Sequence, residues 1–504
     1  MPDPAFASLR TRLAELVDLQ GALAILDWDQ SVYMPAAGGG ARGRQMETIV
    51  RLAHERHVAP AFERALNDAE RAAAVLEPDE PDAVLVRVAR RDLERARRVP
   101  VAFHVARAAH TSAAFEAWRR ARPRDDFAAV ADHLERSVEL AHRYAGYFPE
   151  ADHVADPLID EEDEGATVAL LRPLFDALGE GLRPLVAAAV AAPAPAPLPA
   201  GPYPAAAQLA AALELAVRVG YDLARGRQDV APHPFATRIA GGDVRITTRV
   251  NERDMTEALY STLHEAGHAL YEQGVDAVWE GTPVARGVSA GVHESQSRLW
   301  ENQVGRSRAF WAFALPRLRA RFPALERVDV DAAYRAVNRV VPSLIRTDAD
   351  ELTYTLHVLL RFDLELDLLE GRLSVRDLPD AWAARYASDL GVTPERHGDG
   401  VLQDVHWFAG LVGGAFQGYA LGNVLSAQFH AAAVRALGDV DAAVARGSFA
   451  ELHVWLRDHV YRHGRAKPVE VLVRDATGGP IDPKPYLSYL RNKYGALYPA
   501  LAHA

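Results

Sequence analysis

The chain has 504 residues and no cysteine, so a disulfide framework and a thiol nucleophile are both excluded. It also lacks an apolar run of membrane-spanning length, a tandem repeat and a low-complexity tail. Excess positive charge is missing too. The net charge is −12, and arginine-rich runs such as Arg90 to Arg95 mix both signs, which argues against nucleic acid as a partner. The stretch from Met1 to Phe6 shows no basic region followed by an apolar one, so the cytoplasm is the expected compartment and no membrane partner is expected. Proline is concentrated only in Ala192 to Pro199, a short extended connection between helices. No composition shift divides the chain, and residues 1–504 read as a single catalytic unit.

What is present is helical. Long Ala-, Leu-, Arg- and Glu-rich stretches with helical spacing cover Phe6 to Leu26, Ala83 to Arg120 and Thr353 to Leu369, the last stopped by Gly371. A further amphipathic run, Asn251 to Gln273, carries His264-Glu265-Ala266-Gly267-His268. Leu259, Leu263, Ala266 and Leu270 form its apolar stripe and Gly274 marks its end. The H-E-x-x-H spacing puts two imidazoles on one face, a turn apart, where they can grip one zinc ion, with Glu265 beside the ion as a base for its water. With 19 histidines the pentapeptide arises by chance in roughly one such sequence in twenty, so its helical setting carries the argument.

A catalytic zinc site takes three protein ligands and a water. The third candidate is Glu294, in a segment that reads as the start of a second helix; His293 and Glu301 are its rivals. Zinc suits a two-histidine, one-carboxylate set, and cobalt remains an alternative. Asp243 to Arg249 alternates as a short strand near the zinc helix.

Six blocks together carry a family resemblance: His233-Pro234-Phe235; Asp243, Arg245 and Thr247; His264 to His268; His293 to Gln296; Ile345-Arg346 with Ala349-Asp350; and Gly400, Gln403-Asp404 and His406-Trp407. The chain resembles the Taq-type thermostable carboxypeptidases, zinc-dependent metallocarboxypeptidases, from near the N-terminus to the last residues. The resemblance implies a mainly α fold with a deep substrate groove, a homodimer, and release of single residues from the C-terminus of peptides with broad specificity. It matches His264, His268 and Glu294 to the metal ligands and Glu265 to the catalytic carboxylate.

An exopeptidase also needs a cation for the substrate's terminal carboxylate. Arg346 leads, because Thr347 reads as the cap of the next helix, with Asp350 at the third position. Arg245 is the runner-up; its strand offers an edge to substrate backbone, or the arginine forms a structural ion pair. His406 and Tyr419 are the candidate donors to the developing oxyanion. Asp404 orients a neighbouring donor or supports a metal ligand, and Gln403 is grouped with it as a substrate-binding candidate. His233, held extended by Pro234, lines the groove or forms a turn. Two other functions stand against this reading: a zinc oligoendopeptidase on a similar groove, and a helical peptide-binding protein with a degenerate site.

Overall fold

The computed structural model describes residues 3–499 and 501; Met1 and Pro2, part of the stretch read for a leader, lie outside the described residues. The first helix, Pro4–Val32, begins where the Asp3 carboxylate accepts from the Ala5 amide, with proline at its first position. Phe6, Leu9, Leu13 and Leu16 recur at three- and four-residue intervals and are buried, so one stripe docks the helix. The expected helix over 83–120 is two helices, Pro81–Arg98 and Val101–Arg124. Pro100 causes the break, because its ring forces Val99 into extended backbone. The third expected stretch, Thr353 to Leu369, is a helix that begins slightly early, Glu351–Leu369, and Gly371 adopts a positive φ just beyond it.

Two large apolar clusters share one wall, the helix Gln417–Leu437. Ala420, Leu421, Val424 and Ala427 face the cluster built on residues 99–191, 352–390 and 486–501. Leu425, Phe429, Ala432 and Ala433 face the other, which includes Leu259, Leu263, Trp300 and Trp311. A helix buried on both sides has little polar face left, and this one buries 14 residues.

The sheet has three strands, β1 (Gln228–Val230), β2 (Ala236–Ala240) and β3 (Asp243–Thr248), in the order β1-β3-β2. β1 runs parallel to β3, and β2 runs antiparallel to it with an irregularity between Arg238 and Ala240. Val244 and Ile246 point inward onto Ala266 and Ala269 of the helix Met255–Gly274. This places the sheet directly on the H-E-x-x-H helix. The expectation that β3 offers a free edge does not hold, because both its edges are paired.

No helix of the described residues is long and apolar enough to cross a membrane.

Candidate metal centre and substrate groove

The H-E-x-x-H helix starts at Asp254, whose carboxylate accepts from the Thr256 amide at 2.9 Å, and ends at Gly274. His264 and His268 are one turn apart on it, with ring centroids separated by 5.0 Å. Glu294 arrives on the helix Ala290–Arg298, capped by Ser289. That helix is clasped between two others. A Cβ on Gly267 would sit 2.5 Å from the Gln296 carbonyl oxygen, and one on Gly422 would sit 2.4 Å from Cγ of Glu294. Glycine at both positions lets the three helices close on the carboxylate.

The Nε2 atoms of His264 and His268 stand 3.5 and 3.4 Å from Glu294 Oε2. One ligand atom from each of the three lies within 4.8 Å of the others. Ligands about 2.0–2.1 Å from a tetrahedral zinc ion would be about 3.4 Å apart, so the donor set and its spacing fit a small divalent ion. The rivals take supporting places. Glu301 Oε2 is 2.9 Å from His264 Nδ1. His293 pairs through Nε2 with Glu272 at 2.9 Å, and its Nδ1 meets Nδ1 of His268 at 2.6 Å. The arrangement is satisfied when His268 donates to His293 and His293 donates to Glu272, which leaves His268 Nε2 as a lone-pair donor.

The electrostatics suit a cation. Burial would raise the Glu294 carboxyl, but Arg298 and His264 hold it well below the usual carboxylate range. Burial pushes His268 down to about 4, so it is neutral. For His264 burial acts in the same direction, yet Glu294 and Glu301 outweigh it and raise it. Glu265 is pushed up to about 7, mainly by burial.

A cavity of about 630 Å³ opens beside these candidate ligands, lined by His268, Glu294, His406 and Tyr419. His406 Nε2 is 3.1 Å from the Tyr419 hydroxyl, and its Nδ1 is 3.1 Å from Asp404. Behind them lies Arg346, buried, whose Nε and Nη2 donate to the two Asp404 oxygens at 3.0 and 2.9 Å. Its Nη1 donates to the Tyr354 hydroxyl, and its guanidinium is 5.1 Å from the Tyr419 ring centroid. Arg361 donates to the same Asp404 carboxylate at 2.6 Å. Two guanidinium groups thus share one carboxylate. Arg346 begins a short 3-10 turn, Arg346–Asp348, and the following helix is capped by Asp350 rather than Thr347. Asp350 wins because its carboxylate reaches the amides of Leu352 and Thr353, both at 3.0 Å.

Other sequence candidates sit away from this cavity. Gln403 uses its amide within the protein, accepting from the Arg346 amide at 2.8 Å and donating to the Leu344 carbonyl at 2.7 Å. Arg245 pairs with Asp243 at 2.7 and 2.8 Å and lies 4.2 Å over the Trp28 ring, so the ion-pair alternative describes it. His233 is exposed between β1 and β2, with no side-chain hydrogen bond among the described residues. Arg298 was missed. It donates to Glu294 at 2.7 Å and lies 4.1 Å over the Tyr354 ring; its place four residues after Glu294 on one helix was the available signal. Arg306 and Arg361 act across sequence separations of 5 and 43 residues, with no local pattern to mark them.

A family model described as carboxypeptidase Taq (M32) metallopeptidase matches residues 8–494. The chain belongs to that family. As a member of the M32 family it is a metallocarboxypeptidase, acting on peptides and using a divalent metal. Thermostable carboxypeptidase 1 of Thermus thermophilus is 42% identical over 508 residues, 99% of each chain. The M32 carboxypeptidase of Deinococcus radiodurans R1 superposes with a TM-score of 0.96 at 49% identity, covering 99% of this chain and 100% of that one. A carboxypeptidase structure from Pyrococcus furiosus gives a TM-score of 0.94 at 33% identity, covering 98% and 99%. The resemblance seen in the six blocks, the mainly helical fold and the enzyme class are borne out; an endopeptidase and a degenerate binding protein are not favoured.

Proposed function

We propose that this M32 enzyme uses zinc, held by His264, His268 and Glu294, to remove single residues from the C-terminus of peptides in the cavity between Glu265 and the Arg346 cluster. The observation that carries this reading is the donor set: three ligand atoms at zinc spacing, beside a buried carboxyl of pKa about 7. A bound zinc ion supplies Lewis-acid activation of water and of the scissile carbonyl. Glu265 takes the proton from the attacking water and delivers it to the departing amine nitrogen; a pKa near neutrality suits both transfers. Glu301 and His293 keep the ligand rings oriented.

Arg346 and Arg361 against the single Asp404 leave a surplus positive charge behind His406 and Tyr419. Burial pushes Glu365, also near Asp404, up to about 8, so at neutral pH it does not cancel that surplus. The terminal carboxylate is drawn to this end of the cavity, where Arg346 Nη1 is the donor not committed to Asp404. Tyr419 and His406 face the carbonyl oxygen as its charge grows. We further propose a homodimer, a cytoplasmic location, and one catalytic unit over residues 1–504.

The test is mass spectrometry of one peptide with a free and with an amidated C-terminus, each with and without chelator. A chelator-sensitive ladder from the free end alone is expected. Internal cuts in both peptides would overturn the exopeptidase reading in favour of an endopeptidase.

A further inference from the structure

The cavity beside the metal ligands does not end at His293. A second cavity, of about 370 Å³, continues from it and shares Glu161, Glu162, Ala290 and His293 as walls. Its remaining walls include Arg286, Arg465 and Arg91 together with Asp160, Glu164 and Glu272. Arg91 pairs with Asp160 and Glu164 at 3.0 and 2.8 Å, and Arg465 pairs with Asp92 at 2.8 Å. Arg286 alone has neither an ion pair nor a side-chain hydrogen bond among the described residues.

The backbone that carries Arg286 is pinned on both sides. The Gly287 amide donates to Glu272 and the Val288 amide to the Tyr271 hydroxyl, at 3.0 and 3.1 Å. The Arg465 amide donates to the Val284 carbonyl at 3.0 Å. Such a loop fixes where the Arg286 side chain leaves the backbone, and that side chain is exposed. Desolvation and the neighbouring Arg465 lower its pKa, and the nearby carboxylates of Asp92, Glu272 and Glu162 offset this only in part. Glu162, likewise without a side-chain partner among the described residues, lines the junction nearer the metal ligands.

We propose that Arg286 forms a substrate subsite for an acidic side chain, on a residue upstream of the scissile bond. This rests on the carboxypeptidase orientation given above, with the terminal carboxylate at the Arg346 end. The upstream chain then passes His293 and Glu162 and reaches Arg286. Free donors in a fixed fork match a carboxylate geometrically. Glu162 repels an acid placed one step too close to the metal, so the preference is confined to one register.

The test uses zinc-loaded Glu265→Gln protein, so that binding is read without turnover. N-acetylated penta-alanine with a free C-terminus is compared by calorimetry with versions carrying one Glu, or one Lys, at each upstream position. The proposal expects Glu at one position to tighten binding at least fivefold. Arg286→Ala removes that gain and leaves penta-alanine binding unchanged, and Arg286→Glu transfers the gain to Lys at the same position. It is overturned if no Glu position gains more than twofold, if the gain survives Arg286→Ala, or if Arg286→Ala weakens every peptide alike. Failure of the carboxypeptidase reading shows elsewhere, as absence of C-terminal cleavage of penta-alanine by the zinc-loaded wild type, and the binding pattern is scored independently.

Discussion

Glu301 and Glu265 are two carboxyl groups beside the proposed metal centre with different surroundings. Glu301 meets the His264 ring at the nitrogen facing away from the ligand cluster, and Arg298 and Arg306 hold it there. Its carboxyl is kept far below the usual range despite burial. Glu301→Gln keeps the shape and removes the charge that orients His264, so zinc affinity falls about 10–100-fold, read by competition with a chromophoric chelator. Glu265 has no such anchor, and it is burial that lifts it to about 7. Glu265→Gln is expected to lower kcat by about 10²–10⁴-fold while zinc content, measured by atomic absorption, stays at that of the wild type. Loss of zinc from this variant would make Glu265 a structural part of the cradle instead of the proton carrier.

Helices decide whether those residues meet, and here the sequence was legible unevenly. The H-E-x-x-H helix could be read because its apolar stripe and histidine pair share one period. The break at Pro100 was overrun because apolar spacing resumes on both sides of it. The partners of Asp404 were invisible, since Arg346 and Arg361 reach it from 58 and 43 residues away. The clasp on Glu294 was hidden as well: Gly267 and Gly422 look like helix-weakening residues until the helix between them is seen. Gly422→Ala forces its methyl group into Glu294, at a cost of about 1–3 kcal/mol and with weaker zinc binding. A variant with lowered Tm but unchanged zinc affinity would show that the close approach serves packing alone. The Glu351–Leu369 helix has its own tether. Glu365 accepts from the Trp407 indole at 2.7 Å and from the Gly413 amide, holding the segment that lines the cavity opposite the metal ligands. Its folded pKa, about 8, lies above the unfolded value, so the folded state binds more protons between about pH 4.5 and 8. Stability from this group is full below that window and is lost as pH rises through it. Glu365→Gln should therefore raise Tm relative to wild type at pH 8 and show a smaller difference at pH 5.

For the whole molecule the question is whether the metal builds the fold or only equips it. The two large apolar clusters that share the Gln417–Leu437 helix include none of the three proposed ligands, and the helices carrying them are already docked by Leu259, Leu263 and Val292 on one side and Leu421 on the other. A metal bound only by the folded state then adds stability by mass action, about 2.7 kcal/mol at a free concentration 100 times Kd. In a chain of 504 residues that amounts to a Tm shift of roughly 2–5 °C. Chelation should lower Tm by that amount and leave the helical circular dichroism at 25 °C unchanged. His268→Ala gives the control. Its imidazole is held neutral, so its removal strands no buried charge, whereas loss of Glu294 would take from Arg298 the closer of its two carboxylate partners. The variant should melt at the same temperature with and without chelator. Unfolding of the wild type on chelation at 25 °C would instead make the ion a structural element, and the groove could not then exist without it.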